Sequence, residues 1–174
     1  MSQQDHTNHA ILGPFRQSRH DHGRCVSDAV SAAHELCAAR GVRLTDLRRR
    51  VLELVWESHE PMGAYDVLEK LREERRRAQP PTVYRALEFL LENGLVHRIE
   101  SLNAFVGCNE PRRPHGGQFL ICRSCNAVAE LDDPEIAQVL SRNARRLGFN
   151  VDQQMVELTG LCSGCGDGAS GMSL

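Results

Sequence analysis

The chain of 174 residues has a mass of 19.4 kDa, a size that fits one ordinary domain or two small ones. Its 41% hydrophobic residues exclude full disorder, and 21 basic against 23 acidic residues exclude a globally basic nucleic-acid binder. No apolar run approaches the ~18 residues of a membrane span, and residues 1–9 lack the apolar stretch of a secretory signal. We therefore expect a cytoplasmic protein with no membrane partner, in which nucleic-acid binding depends on a local patch.

The N-terminal part of the sequence predicts a tail followed by helices. Residues 1–25 show no apolar periodicity and are predicted to form a disordered tail. The first helix is predicted from a cap at Ser27 to about Arg40. The second is predicted to begin after Thr45 and to end before Pro61, because apolar residues recur there at helical spacing, at Leu47, Val51, Leu54 and Val55.

Two more helices and a hairpin are predicted next. The third helix covers about residues 64–75, and the fourth begins at Pro80 and stops at Gly94. Beyond this stop the apolar period changes from 3.6 to 2, so residues 95–100 and 105–106 are predicted to form a β-hairpin. A helix–turn–helix followed by a hairpin is typical of a winged helix, which we predict over residues 26–108.

The rest of the chain predicts a smaller α/β domain over residues 118–166. The hinge before it, residues 109–117, holds two prolines and two glycines, and the tail at 167–174 is predicted to be flexible. The domain itself is predicted to contain three strands, at residues 119–122, 128–131 and 151–158. Its helix starts at Asp133-Pro134, and we expect its apolar residues to face the core: Ile136, Val139, Leu140, Ala144 and Leu147. Such a core is too small to stand alone comfortably, so this domain is predicted to dimerise.

Seven cysteines include two Cys-x-x-Cys pairs, Cys122/Cys125 and Cys162/Cys165. A reducing compartment disfavours a disulfide framework, so the pairs indicate metal or redox chemistry. Each pair can place two thiolates on one tetrahedral ion at ~2.3 Å per bond, and together they predict a structural zinc with no open coordination position. The alternatives are redox dithiols or free thiols. A thiol redox enzyme is disfavoured because neither pair opens a helix within a βαβ pattern.

A second set of metal-ligating residue types surrounds the predicted hairpin and hinge. A hairpin centred between residues 102 and 103 would place His97 directly opposite Cys108, with the ~4.5–5.5 Å Cβ separation that lets both share a metal. The set could be completed by a hinge histidine and a strand-edge carboxylate, His115 and Glu130. Sulfur, nitrogen and oxygen donors together favour Zn²⁺ over Mg²⁺ or Ca²⁺. Taken singly, a residue of each of these types is more often structural than a metal ligand. A shift of the hairpin register by one residue would also place His97 and Cys108 on opposite faces.

A local nucleic-acid signal lies at the start of the predicted fourth helix. Arg85 is in its first turn, where a recognition helix meets base edges. Thr82 and Tyr84, beside it, can donate hydrogen bonds to phosphates. Tyr65 opens the third helix, and the arginines at 48–50 cluster on the second. This arrangement favours binding of double-stranded DNA through the helix–turn–helix.

The chain resembles the ferric uptake regulator family, and within it the branch of zinc uptake regulators. The resemblance covers about residues 28–166, and its most specific stretches are Gly41–Thr45, Ala64–Asp66, Pro80–Leu87, Phe89–Ser101, Cys122–Cys125 and Gly160–Cys165. It implies an α+β protein with an N-terminal winged helix and a small C-terminal α/β dimerisation domain. It also implies two zinc ions per chain, one structural and one regulatory, the latter at the junction of the domains.

The resemblance assigns roles residue by residue. The structural zinc would bind Cys122, Cys125, Cys162 and Cys165, and the regulatory zinc His97, Cys108, His115 and Glu130. With a ligand cysteine at position 108, the chain resembles the zinc branch rather than the iron or peroxide branches. Tyr65 and Arg85 match DNA-contacting positions. The segment between Cys108 and His115 is unusual for the family. Residues 116–118 lack the His/Asp-rich pattern of the iron branch, so a third metal site is not expected.

These features, together with the resemblance, predict a homodimeric, zinc-dependent transcriptional repressor of zinc-uptake genes with no enzymatic activity and no small-molecule substrate other than zinc. Two-fold symmetry of the dimer implies a near-palindromic operator, which we expect to be an AT-rich inverted repeat. One alternative is a constitutive winged-helix DNA-binding protein that holds only the structural zinc. Another is a regulator of the same family that responds to a different metal.

Overall fold

The computed structural model describes residues 11–15, 22–58, 60–74, 76–113 and 115–166. In chain order its elements are β1 (Ile11–Gly13), α1 (His22–Ala39), α2 (Asp46–Glu57), β2 (Met62–Gly63), α3 (Ala64–Glu74), α4 (Pro80–Glu92), β3 (Val96–Ile99), β4 (Ala104–Gly107), β5 (Gly117–Cys122), β6 (Val128–Leu131), α5 (Pro134–Arg146), β7 (Met155–Gly160) and α6 (Ser163–Gly166). The chain divides into two compact units: an N-terminal unit of residues 17–114, and a C-terminal unit of residues 115–174 with residues 1–16. Among the described helices, none has the length and apolar character needed to cross a membrane.

The N-terminal unit is a winged helix, which confirms the predicted fold class. Its three-stranded antiparallel sheet has the order β2-β4-β3. Helices α3 and α4 form the helix–turn–helix, and β3 and β4 form the wing. The two-residue strand β2 is too short for any periodicity to reveal, and sequence reasoning missed it.

Local signals explain where these helices begin and end. The Thr45 side chain caps α2 by accepting a hydrogen bond from the Arg48 N–H at 3.4 Å. Helix α4 has prolines at its first positions, where their missing donors cost no intrahelical hydrogen bond. It stops where Gly94 adopts a left-handed φ of 65°. The buried faces of α2, α3 and α4 build the core, with the following large residues fully enclosed: Leu52, Leu54, Leu71, Leu87, Leu90, Val51, Val55, Val67 and Val83.

The C-terminal unit is a four-stranded mixed sheet in the order β1-β6-β5-β7. Strand β5 pairs antiparallel with β6 and parallel with β7, so the sheet's centre is buried around Phe119 and Ile121. Gln118 links the sheet to the start of α5, because its amide donates to the Asp133 carbonyl at 2.9 Å and accepts from the Asp133 N–H at 3.1 Å. Asp133 in turn caps α5 by accepting from the Glu135 N–H at 2.8 Å.

Helix α5 contradicts the prediction about its apolar face. Ile136, Val139, Leu140, Ala144 and Leu147 were expected to face the core, yet no residue of α5 is buried in the single chain. Leu147 is 87% exposed, and Val139 and Leu140 are more than two-fifths exposed. The amphipathic pattern is real, but the sheet of one chain does not cover it. Such a face marks an interaction surface rather than an internal core.

Two corrections concern the predicted tail at residues 1–25. Residues 11–13 form β1, which pairs antiparallel with β6 through Ile11 with Leu131 and Gly13 with Glu130. A strand of three residues has too little periodicity to detect, and it forms because β6 otherwise leaves an edge of unpaired backbone groups. Helix α1 starts at His22, five residues before its predicted cap at Ser27, and includes Gly23. Residues 1–10 and 16–21 lie outside the described residues.

The C-terminal half departs from the prediction in its boundaries. Gly117, placed in the hinge, is the first residue of β5, and β7 covers Met155–Gly160 instead of 151–158. Both shifts follow from parallel pairing, which begins with Gly117 opposite Met155 and ends with Cys122 opposite Gly160. The division at residues 26, 108 and 118 into domains and hinge stays a prediction, and the predicted tail at 167–174 lies outside the described residues.

Candidate metal centres and nucleic-acid interface

The C-terminal unit brings the four paired cysteines together. Cys122 ends β5 and Cys125 lies in the turn to β6, whereas Cys162 and Cys165 follow β7. Because β5 and β7 run parallel with Cys122 opposite Gly160, both Cys-x-x-Cys segments leave the sheet at the same end. The four Sγ atoms lie within 4.8 Å of one another. Topology thus closes the gap of 36 residues between the two pairs.

Backbone hydrogen bonds shape both cysteine segments. The Cys122 N–H donates to the Ala127 carbonyl at 2.9 Å, and the Asn126 N–H returns to the Cys122 carbonyl at 2.8 Å. Asn126 has a left-handed φ of 57°, which asparagine tolerates better than most residues. The Cys165 N–H donates to the Cys162 carbonyl at 3.0 Å and folds the second segment into a similar tight turn. Each turn directs its two thiols to the same side.

The donor geometry fits a tetrahedral zinc. The Sγ atoms of Cys125 and Cys162 are 3.8 Å apart, and four Zn–S bonds of ~2.3 Å in a tetrahedron give sulfur–sulfur edges of ~3.8 Å. A disulfide would need ~2.05 Å, and every cysteine in the described part is a free thiol. Four thiolates are also the ligand set of closed structural zinc sites. The residues present can therefore hold such an ion without rearrangement of the backbone.

The thiols of this cluster are not equivalent. The Cys162 N–H donates to Cys122 Sγ at 3.4 Å, and with further backbone N–H groups of the 124–125 turn it lowers the pKa of Cys122 from 9.0 to about 6. At Cys125 the Ala127 N–H acts in the same direction, but neighbouring thiols and burial outweigh it and raise the pKa to about 12. The backbone N–H groups therefore favour the thiolate form of Cys122, whereas the neighbouring thiols and burial favour the protonated form of Cys125, whose proton zinc must displace on binding.

The hairpin register differs from the prediction for His97 and Cys108. His97 lies opposite Val106, and the Cys108 N–H donates to the Leu95 carbonyl at 3.1 Å. The pairing is displaced by two residues because a short helical turn over Glu100–Leu102 leads into Asn103 with a φ of 48°. A two-residue shift preserves the face of each side chain, so His97 and Cys108 become diagonal neighbours on one face. Their ligand atoms lie within 4.8 Å of each other.

The C-terminal unit contributes a second pair of donors. His115 Nε2 and Glu130 Oε1 are 2.8 Å apart, and their side chains are only 4% and 3% exposed. Glu130 is held on β6, opposite Phe119 of β5. A carboxylate so deeply buried is costly unless a cationic group or a metal compensates it. This pair therefore supplies a nitrogen and an oxygen donor in a desolvated setting within the C-terminal unit.

The predicted DNA-contacting residues lie near the N-terminal ends of α3 and α4. Arg85, expected in the first turn of its helix, is the sixth residue of α4 and lies in the second turn, because the helix already begins at Pro80. Tyr65 is 67% exposed and Tyr84 is 48% exposed. Arg85 is exposed and Thr82 is half-buried, and within the described part of the chain neither side chain forms a hydrogen bond or ion pair. The first turn of α4 carries no acidic residue, so nothing there opposes the positive end of its dipole. These side chains can therefore turn towards a phosphate backbone or a groove.

The arginines of α2 make contacts within the N-terminal unit, which stabilise the fold rather than form a nucleic-acid surface. Arg50 binds three carboxylates, those of Glu53, Glu57 and Glu74, and the Glu74 contact is the main cause of its raised pKa. The guanidinium of Arg48 stacks 3.6 Å from the centre of the Phe89 ring. The glutamates at i+3 and i+7 from Arg50 were visible in the sequence and indicate an internal ion-pair network rather than a nucleic-acid surface.

An apolar surface on the C-terminal unit was missed as a functional feature. Besides the α5 side chains, Phe149 is 63% exposed and Leu158 of β7 is 53% exposed. The strong amphipathicity of α5 is the sequence signal for this surface, but the sequence analysis interpreted the apolar side of the helix as part of an internal core. With β7 at the sheet's outer edge, these exposed apolar residues are suited to contact with a second copy of the chain.

Comparison with known proteins finds relatives among metal-uptake regulators. A model of the ferric uptake regulator family matches residues 39–159. The zinc uptake regulation protein of Escherichia coli (strain K12) is 40% identical over 141 residues, covering 80% of this chain and 82% of that protein. The zinc uptake regulation protein of Mycobacterium tuberculosis (strain ATCC 25618 / H37Rv) is 29% identical over 131 residues, covering 74% of this chain and 98% of that protein.

Two solved structures extend the similarity to the fold. A zinc uptake regulator complexed with zinc and DNA has a TM-score of 0.79 and 39% identity, covering 82% of this chain and 95% of that one. The crystal structure of holo XcZur has a TM-score of 0.76 and 42% identity, covering 80% of this chain and 98% of that one. The matched relatives are thus regulators rather than enzymes.

Proposed function

The chain belongs to the ferric uptake regulator family, and from this premise we propose that it is a zinc-responsive repressor that binds operator DNA and controls zinc-uptake genes. The observation that carries the proposal is the presence of two chemically distinct sets of donor residues. One is built of four thiols, and the other combines a thiol, two imidazoles and a carboxylate. A closed all-sulfur site suits a permanent structural ion, whereas a mixed set suits an ion that exchanges with the cell's supply.

The four-cysteine cluster is proposed to hold the structural zinc. Its thiolates fill every position of a tetrahedral ion, which leaves none for a substrate or a water. Cys122 is the last residue of β5, and Cys162 follows the end of β7. An ion bound by both would therefore link two strands that are neighbours in space and distant in sequence. The 3.8 Å spacing of Cys125 and Cys162 supports this role.

The regulatory zinc is proposed to bind His97, Cys108, His115 and Glu130. When bound, this ion supplies the positive charge that compensates the Glu130 carboxylate and the Cys108 thiolate. His97 and Cys108 belong to the N-terminal unit, His115 and Glu130 to the C-terminal unit. Ligands shared between the two units would make their arrangement depend on zinc, which gives the metal a means to control DNA binding. The stoichiometry would be two zinc ions per chain.

DNA binding is proposed for the N-terminal unit through Tyr65, Thr82, Tyr84 and Arg85. Helix α4 would enter the major groove with its first two turns, so that Arg85 reads a base edge while Thr82 and Tyr84 bind phosphates. A homodimer formed through the C-terminal unit would present two such helices to an AT-rich inverted repeat. The protein would act in the cytoplasm and would have no catalytic role.

The test is DNA-binding anisotropy with a fluorescent AT-rich inverted repeat in buffered metal. We expect operator affinity to rise ~5–150-fold as free zinc fills the second site, the usual range for coupling between two ligands. Ferrous iron, buffered in a parallel titration, should produce no such rise. A rise with iron in place of zinc would identify a regulator of another metal in the same family.

A second candidate function has its own supporting observation. His115 and Glu130 already satisfy each other at 2.8 Å, so the pair could be a structural ion pair that needs no metal. The protein would then be a constitutive DNA-binding module with only the four-cysteine zinc. Operator binding that is unchanged when zinc is lowered until one ion per chain remains would establish this alternative and exclude the sensor.

A further inference from the structure

Trp56, the one tryptophan in the chain, packs directly against Gly107. A Cβ atom built on Gly107 would lie 2.7 Å from Trp56 Cζ2 and closer still to Cε2 and Nε1. Real Cβ atoms essentially never approach a neighbour within 3.0 Å. Gly107 lies in regular strand β4 opposite Val96 and has no left-handed φ. Glycine is therefore required at this position by the indole, not by the backbone conformation.

The pair lies next to a proposed ligand of the regulatory zinc. Trp56 is near the end of α2, half-buried against the core of the N-terminal unit. Gly107 ends β4, and Cys108 follows it with its N–H bonded to the Leu95 carbonyl. Because side chains alternate along a strand, Gly107 faces α2 while Cys108 projects to the opposite face, with His97. The indole thus supports the back of the strand end that carries the thiol.

We propose that Trp56 and Gly107 form a packing pair that seats Cys108 in the regulatory zinc site, which makes Trp56 a positioning residue for that zinc. The inference rests on the proposed function, since it takes Cys108 to be a zinc ligand. Helix α2 is fixed by its buried residues, so the thickness of the indole sets the separation between α2 and the end of β4. Zinc sites accept ligand distances within about 0.2 Å, so a small displacement of this strand end reaches the metal.

A double-mutant cycle tests the pair. Gly107→Ala should weaken zinc binding at the regulatory site by about 10–100-fold, the usual cost of disturbing groups that orient metal ligands. Trp56→Ala should also weaken it, because the strand end loses its support. In the Trp56→Ala background, Gly107→Ala should cause no further loss, since the new methyl group enters the space that the indole left. Affinities are measured by competition with a zinc chelator on the full-length protein.

Two controls separate positioning from general damage. Val67→Ala removes a buried methyl pair from α3, within the same core but away from β4, and should lower thermal stability without lowering regulatory zinc affinity. In every variant the four-cysteine zinc should be retained at one ion per chain. The second readout is Trp56 fluorescence, which should change when zinc fills the regulatory site of the wild type and stay constant in Cys108→Ser.

The possible failures are distinguishable. A wild type that never binds a second zinc would overturn the proposed function, and the packing pair with it. A wild type that binds the second zinc, beside a Gly107→Ala variant of equal affinity, would overturn the packing pair alone. The pair is also wrong if Val67→Ala weakens zinc binding as much as Gly107→Ala, because the effect would then reflect stability. A constant Trp56 emission during regulatory zinc binding would contradict the contact between the indole and the ligand-bearing strand.

Discussion

The two units of this chain reach stability by different means. The N-terminal unit encloses a continuous apolar core from four helices and its small sheet. In the described C-terminal unit the buried apolar residues are few, namely Phe119, Ile121, Cys122, Ala129 and Cys162, and two of these are proposed zinc ligands. Its single long helix, α5, buries no residue in one chain. The first unit resembles an autonomous domain, and the second lacks the burial that a domain of its size needs.

This contrast explains why the proposed structural zinc and the dimer interface both belong to the C-terminal unit. A unit with a sufficient core can expose its polar surface for DNA without needing a partner. A unit with an insufficient core gains stability from a structural ion, whose binding contributes directly to folding, and from a second copy that covers its apolar face. Four substitutions test this contrast, from the largest expected effect to the smallest.

Cys122→Ser should unfold the C-terminal unit while leaving the N-terminal unit folded. Structural zinc binding in zinc-finger peptides is worth ~10–16 kcal/mol, against a total stability of ~5–15 kcal/mol for most domains. Hydrogen exchange should show protection lost in β5, β6 and β7 and kept in α2 and α4. Cys25→Ser, on α1 and outside both donor clusters, is the matched control. If both units of Cys122→Ser remain protected, the four-cysteine zinc is dispensable and the contrast fails.

Leu140→Glu should dissociate the dimer with little effect on the N-terminal unit. Leu140 lies on the exposed apolar face of α5, and a charge placed in a dimer interface must be desolvated without a partner. We expect a loss of at least ~2 kcal/mol, or about thirtyfold in dimer affinity. Sedimentation at several concentrations measures it. Gln138→Glu places the same charge on an exposed polar position of the helix and should leave the dimer intact. Equal dissociation by both variants would place the interface elsewhere.

Cys108→Ser should abolish zinc control of DNA binding while both units stay folded. Serine preserves the size of the side chain and removes the soft thiolate donor. The variant should retain one zinc per chain and lose the ~5–150-fold, or ~1–3 kcal/mol, effect of zinc on operator affinity. By reciprocity, operator DNA should tighten zinc binding in the wild type and fail to do so in the variant. Full zinc dependence in Cys108→Ser would remove residue 108 from the regulatory site.

Arg85→Ala should weaken operator binding by ~1–3 kcal/mol if the side chain reads a base, with thermal stability unchanged. Arg50→Ala is the contrasting variant, because Arg50 is engaged with Glu53, Glu57 and Glu74. It should lower stability and affect DNA only indirectly. Anisotropy and thermal melts on the same samples separate the two roles. If Arg50→Ala lost affinity at unchanged stability, the assignment of α2 to the fold would be wrong.

Much of the N-terminal unit could be predicted from local sequence. Helices α2, α3 and α4 follow from amphipathic spacing, the Thr45 cap, the prolines at the start of α4 and the glycine stop at residue 94. The hairpin was predicted with the correct strands and the wrong pairing, because its turn uses Asn103 in a left-handed conformation. Strand β1 was missed because the strand that it pairs with, β6, is more than a hundred residues away in the chain.

For the candidate sites, the sequence by itself determined which residues have the right chemistry. The Cys-x-x-Cys spacing and the types of the residues at positions 97, 108, 115 and 130 depend on composition and order alone. Only the tertiary structure decided how the donors meet. The parallel pairing of β5 with β7 joins the two cysteine segments, and the packing of Trp56 on Gly107 places the strand end that carries Cys108. The same holds for the α5 face, since amphipathicity shows that a face must be covered, and only the packed chain shows that its own sheet does not cover it. The physical reason is that donor chemistry belongs to single side chains, whereas distance and burial arise from contacts between segments far apart in sequence.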